Sequence, residues 1–337
     1  GLIPFKDGNK DASDYAAMKP YLATSAGFTD TQNNALIDYV LGADLSKTAP
    51  AYANRSDIMG DIIDSAPTAL EYNWSQWQST VIGKSTILSA AVTQAAAGNA
   101  GSTHFRVIFV GDNQGFLHAF GELSWSVNAP IPDPSNPAKT INIPVTHGAV
   151  DELWAFLPTD FLANLDYLQG IGTHRFMVDG SPYAYLLDVP VSNAISGNGM
   201  VDIGERALVI FGLRKGGRSY YALDVSDPTT PKLGPANSGN GWAIRPDDAM
   251  LLSATSIKST AGSAAQVKKV VGTMGYSSSQ PFVSRVLYGS SPQTVRDVVF
   301  LGGGFSSTDT DAQNLNTSVS PNTAAPLGRS ALAVDVN

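Results

Sequence analysis

The feature that most constrains this chain is a pattern that occurs three times. In residues 105–120, FRVIFVGDNQGFLHAF, a β-branched and aromatic run meets a polar Gly-Asp-Asn-Gln-Gly turn, and a second apolar segment follows at once. Two apolar runs around a short glycine turn predict a β-hairpin. The pattern returns in residues 207–225, where ALVIFGL passes through Arg-Lys-Gly-Gly-Arg into SYYALDV. It returns again from Val298, where VVFLGGG leads through a long polar loop to Gly328-Arg329 and SALAVDV. A repeated strand, turn and strand in a β-rich chain predicts an all-β propeller or a related array, here a modified and possibly incomplete one.

Around this repeat the chain divides into a helical lead-in, residues 1–54, and a propeller region, residues 55–337. In the lead-in, Thr29 can cap a helix with Gln32 three residues on. Leu36, Ile37, Val40 and Leu41 then form one apolar face, and Gly42 stands where a terminating glycine belongs. Residues 85–97 are alanine-rich and predict a helix packed outside the blades. Residues 128–144 hold five prolines, so the stretch 121–150 is expected to be a peripheral loop with no regular ladder. Residues 152–158, 174–182, 267–273 and 281–288 are expected to be further strands.

Composition narrows the function classes. The chain has 21 Lys and Arg against 29 Asp and Glu, and no basic run interleaved with aromatics, so a nucleic-acid partner is not expected. It has no cysteine, which removes disulfides, thiolate nucleophiles and Cys-ligated metals together. No apolar run approaches the length a bilayer requires, so a membrane-spanning helix is not expected. The low share of charged residues, 15%, with abundant Ser, Thr, Asn and Gly, points to an extracellular protein.

Two loops carry calcium-like spacing. In residues 196–205, with Gly199 at the sharp turn, Ser196, Asn198, Asp202 and Glu205 fall at positions three, five, nine and twelve of an EF-type loop, while Ala194 stands at position one. Near the start, Asp7, Asn9 and Asp11 match positions one, three and five, but Ala12 replaces the turn glycine and Met18 the bidentate glutamate. Each also reads as an ordinary polar turn. The four histidines sit at no metal spacing, and His118 and His174 read as hydrogen-bonded structural residues. Asp61 and Asp179 read as turn acids bonding backbone amides. No nucleophile elbow, phosphate loop or zincin helix is present, so catalytic residues are not expected.

The segments RSDIMGDIIDSAPTAL, VIFVGDNQGFLHAF, ELWAFLP, HRFMVDGSP, GGRSYYALDVSDP and GRSALAVDV follow the order of PilY-type proteins, the adhesins associated with the type IV pilus tip. The helix at 29–42 is similar to that family's lead-in, so the resemblance spans most of residues 29–337. It implies a modified β-propeller on the cell surface, placed at the pilus tip with minor pilins, aiding pilus extension and attachment to a host or other surface. Two departures stand out. Residues 121–150 separate two strands that nearly adjoin in the family, and the family's late Asp-x-Asn-x-Asp calcium loop has no clean copy. Ala222-Leu223-Asp224 and Ala333-Val334-Asp335 also resemble the blade motif of quinoprotein dehydrogenases. Those enzymes hold a quinone, and many carry a Cys pair against it. The missing Cys pair and irregular Trp spacing make a quinone unexpected here. A general extracellular structural protein is the third reading.

Overall fold

The computed structural model describes residues 29–44, 58–98, 102–169, 174–188, 197–234, 240–246, 274–304 and 331–336, with Lys19, Leu22, Arg55 and Ala100. The described residues are mostly β. The lead-in helix α1 (Asp30–Val40) forms as expected. Thr29 accepts from the Gln32 amide while Gln32 reaches back to the Thr29 amide, and Gly42 turns the chain at φ +100°. Its buried Leu36, Ile37 and Val40 pack on Leu162 and Leu165 of the 3-10 helix Thr159–Gln169.

The first sheet contains β1 (Thr68–Tyr72), β2 (Ser102–Gly111), β3 (Leu117–Asp133) and β4 (Asn136–Phe156), consecutive antiparallel neighbours. Between β1 and β2 lie α2 (Trp74–Ile82), which the sequence reading missed, and α3 (Thr86–Ala97), which it anticipated. After β4, β5 (Tyr183–Leu187) begins the second sheet, and the short β6 (Met200–Val201) returns to pair parallel with β1. The second sheet runs β5, β7 (Arg206–Gly212), β8 (Tyr220–Asp224) and β9 (Trp242–Ile244), again antiparallel. The third runs β10 (Phe282–Tyr288), β11 (Thr294–Gly302) and β12 (Ala331–Asp335). All three hairpins read from the repeat are present.

The three sheets share one register. Thr68, Phe109 and Ala119 stand side by side in the first. Tyr183, Ile210 and Ala222 do so in the second, and Phe282, Phe300 and Ala333 in the third. One residue along, the opposite faces carry Ala69, Ile108 and Phe120; then Ala184, Val209 and Leu223; then Val283, Val299 and Val334. Because side chains alternate across a strand, the central sheet buries both faces. Val209, Phe211 and Leu223 join a core with Phe105, Val107 and Phe109 of the first sheet, whereas Leu208, Ile210 and Ala222 join one with Val299 and Leu301 of the third. That explains why ALVIFGL is apolar throughout rather than alternating.

Two expectations fail. Residues 121–150 are not a loop but most of one long ribbon, with β3 and β4 paired from Leu117 opposite Phe156 to Asp133 opposite Asn136. The prolines do not break it because Pro144, Pro130 and Pro132 lie in pairs two residues apart (Asn128 with Pro144, Pro130 with Asn142, Pro132 with Thr140). Pairs of one parity share one orientation, and proline fits the class whose N–H points away from the partner. The ribbon's base is core: Leu123 and Trp125 are buried with Leu88, Ala91 and Ala95 of α3. Residues 174–182 are likewise not a strand. They run as an approach segment whose backbone bonds to the neighbouring hairpin turn, with Val178 N–H donating to Asp112 O and Met177 N–H to Asn113 Oδ1. The expected strand at 267–273 lies outside the described residues, whereas the one at 281–288 is β10.

Candidate functional site

Each sheet is preceded by an approach segment that ends in proline: Asp64-Ser65-Ala66-Pro67, Asp179-Gly180-Ser181-Pro182 and Ser278-Ser279-Gln280-Pro281. These segments and the turns between second and third strands form a polar centre at one end of the sheets. The glycine ending the second strand meets its own approach segment in two of them, Gly111 N–H donating to Ser65 Oγ at 2.9 Å and Gly302 N–H to Ser279 Oγ at 2.7 Å. The following segment then docks on the preceding turn: a Cβ on Gly111 would sit 2.3 Å from Val178 O, and one on Gly212 2.5 Å from Ser277 O. Ser277 Oγ also accepts from Leu213 N–H at 2.7 Å.

Arg214 is the hub of this centre. It holds the left-handed φ of +51°, and its guanidinium pairs with Asp64 of the first segment and, at 3.0 Å, with Asp179 of the second. Lys215 Nζ reaches Asp64 at 3.3 Å and lies over the Phe176 ring. The hydrogen bond from Arg214 holds the Asp64 carboxyl below the usual range, while burial pushes that of Asp179 up. A polar cavity of about 210 Å³ lies alongside, lined by Asp64, Ser181, Arg214 and residues Ser277 to Gln280. Small-molecule sites usually occupy about 300–1,000 Å³, so this one suits a few waters or a small ion.

A second cluster anchors the first hairpin. Asp112 Oδ1 accepts from the Gln114 and Phe116 amides, and its Oδ2 accepts from Gly60 N–H at 2.7 Å. His118 lies between carboxylates, Nε2 3.1 Å from Asp112 Oδ2 and Nδ1 2.5 Å from Glu152 Oε1. Burial alone would lower the imidazole pKa, but the two acidic partners outweigh it and raise it to about 9. His118 is thus a charged structural residue. In the first hairpin it is Asp112, and not Asp61, that binds the turn amides, while Asp179 pairs with Arg214. Asp61 instead pairs with His174 Nε2 at 2.8 Å.

The candidate calcium ligands are placed as follows. Ser196, Asp7, Asn9 and Asp11 lie outside the described residues. Asn198, Asp202 and Glu205 do come together, but as a hydrogen-bonded turn. Asp202 Oδ1 accepts from Asn73 Nδ2 at 2.6 Å and Gln76 Nε2 at 3.0 Å, and Oδ2 from Asn198 Nδ2 at 3.2 Å. Backbone amides donate to Gln76 Oε1 and Asn198 Oδ1, which fixes those amides with nitrogen toward Asp202. Glu205 Oε2 accepts from the Asp202 amide. Among the described residues no three His, Asp or Glu side chains are arranged to hold a metal ion. Arg214, Asp64 and Asp112 were missed by the sequence reading; aligning the three proline-ended segments would have pointed to Asp64.

Among the described residues no helix is long and apolar enough to cross a membrane. No protein-family model matches the chain, and no solved structure matches it. It is 28% identical over 216 residues, 60% of its length, to the "Type IV pilus biogenesis factor PilY1" of Pseudomonas aeruginosa (strain PAK). It is 25% identical over 237 residues, 69% of its length, to the protein of that name in strain UCBPP-PA14. Over 203 residues, 58% of its length, it is 28% identical to a PilY1 homolog of Xylella fastidiosa (strain Temecula1). The matched regions are only 14%, 16% and 11% of those relatives' own lengths. Over that part the chain is a distant relative of the PilY1-type pilus biogenesis factors.

Proposed function

We propose that this chain is a propeller-type binding and assembly module that works outside the cell at the type IV pilus tip, with minor pilins as partners and a surface ligand for attachment. The observation that carries the reading is the partial similarity to pilus biogenesis factors of two organisms. The architecture supports it: three antiparallel meanders in one register, stacked face to face, are what successive propeller blades require. The polar centre supports a scaffold rather than an enzyme. Its acids are engaged by Arg214, Lys215, His174 and backbone amides.

The test is an in-frame deletion of the segment encoding this chain, with surface pili counted by electron microscopy. We expect a severalfold loss of pili, restored by the wild-type segment. Unchanged piliation and attachment would remove the reading, and a stoichiometric quinone absorbance in the purified protein would replace it with the dehydrogenase one.

A further inference from the structure

We infer that the overhanging part of the β3–β4 ribbon is a docking face for an amphipathic α-helix of a partner protein, which lies on it as α3 lies on the ribbon's base. This surface is additional to the pilus reading above and independent of it.

The third strand of the ladder stops early. β2 accompanies β3 only as far as Ser102 opposite Ser126, whereas β3 and β4 stay paired to Asp133 opposite Asn136. Beyond Ser126 the ribbon has two strands, and a two-stranded ribbon is marginal in water unless a further strand or a helix packs on it. Its two faces differ. One carries the pairs Val127 with Val145, Ala129 with Ile143 and Ile131 with Ile141; the other carries Asn128 with Pro144, Pro130 with Asn142 and Pro132 with Thr140. Between Ser126 and Thr146 the charged residues are Asp133 and Lys139, both near the tip. The apolar face is therefore a stripe with no charge along its three pairs.

What fits this stripe follows from what already covers its base. Leu123 and Trp125 are the preceding members of the same row, and they are buried with Leu88, Ala91 and Ala95 of α3. That helix ends at Gly98, where a Cβ would stand 2.6 Å from Val127 Cγ1. Val127 still packs on the core, but Ala129, Ile131, Ile141, Ile143 and Val145 join none of the cores formed by the described residues, and Ile141 is 37% exposed. The row continues where the helix stops. A second helix in the layer of α3 meets that row with the stripe α3 itself uses, Leu or Ala recurring at three and four residues, which is the usual pattern of a docked helix. The rows from Val127 to Asp133 extend about 20 Å at ~3.3 Å per residue, the length of about 13 helical residues.

A strand added to the ribbon's edge is the competing mode, and the prolines oppose it. Pro130 and Pro132 remove outward N–H groups from the free edge of β3, and Pro144 removes one from that of β4, so a partner strand finds donors missing along both edges. Packing on the face needs none of them. Within the stripe, Ala129 is the small residue between Val127 and Ile131, the place where a larger side chain from a helix can enter.

The test is fluorescence anisotropy of a labelled synthetic peptide of about 18 residues, with leucine at i, i+3, i+4 and i+7 and Glu and Lys elsewhere, titrated with the full chain. We expect saturable binding with a Kd of about 100 µM or tighter. Ile131→Asp and Ile141→Asp should each weaken it roughly tenfold or more, whereas Thr140→Asp on the opposite face should leave it unchanged. A peptide of the same composition with its leucines scattered around the helix should not bind. Circular dichroism and melting confirm the fold, and Ile141→Thr, which keeps a β-branched side chain, replaces Ile141→Asp if that variant loses the ribbon. No binding up to about 1 mM overturns the proposal and leaves the pilus reading standing. Binding indifferent to the Ile131 and Ile141 variants, or equal for the two peptides, overturns it too. So does a dimer of the chain alone that Ile141→Asp dissolves, which assigns the face to a second copy.

Discussion

Replacing His118 with Gln isolates the charge buried under the first hairpin. His118 is nearly inaccessible, held between Asp112 and Glu152, with its pKa raised from 6.5 to about 9. A rise of that size corresponds to about 3 kcal/mol of folding free energy. The sign follows from the direction. The folded state binds the proton more tightly than the unfolded chain does, so this stabilisation is complete below pH 6.5 and is lost as the pH climbs through 9. Asp112 keeps its bonds from the Gly60, Gln114 and Phe116 amides in the variant, which holds the cost near the lower end of the roughly 3–5 kcal/mol seen when a buried pair loses one partner. Urea unfolding at a series of pH values from 6 to 10 reads the effect. His118→Gln should be about 3 kcal/mol less stable than wild type at pH 6 and within about 1 kcal/mol at pH 10. A difference that does not change with pH would show that the ring contributes packing alone and would refute the reasoning.

Arg214→Ala strips the ion pair from fully buried Asp179 and should cost about 3 kcal/mol in urea unfolding, with Asp179→Asn in the same background recovering part of the loss. Gly111→Ala places a methyl group against Val178 O and should lower the melting temperature by several degrees, about 1–3 kcal/mol. Deleting residues 129–143 removes only the ribbon's tip and should leave cooperative melting intact. Deleting 121–150 also removes buried Leu123 and Trp125 and should cost about 5 kcal/mol or more. Asp202→Ala should destabilise the chain by about 2 kcal/mol whether or not calcium is present; a calcium-dependent rise in wild-type melting temperature that this variant abolishes would instead make the loop an ion site.

What was legible in the sequence was local. The first two hairpins each consist of two apolar runs around a glycine turn, and α1 announces itself through Thr29, Gln32 and Gly42, all within a few residues of the contacts they make. The ribbon was misread because proline density was weighed without proline parity, and parity depends on which residues face each other across the pair. The polar centre was invisible for a different reason. Lys215 and Asp64 stand 151 residues apart, and Arg214 and Asp179 35 apart, so no local pattern links them until the sheets stack. The surroundings of Asp202 show the same limit: Asn73 and Gln76, which supply donors to the carboxylate, come from the start of α2, more than 120 residues earlier.

The most direct test of the central claim, a pilus binding and assembly module without chemistry of its own, is equilibrium binding of the purified chain to purified minor pilins by calorimetry. The account predicts saturable binding with a Kd of about 10 µM or tighter. No heat of binding up to about 100 µM for any minor pilin of the organism would contradict it.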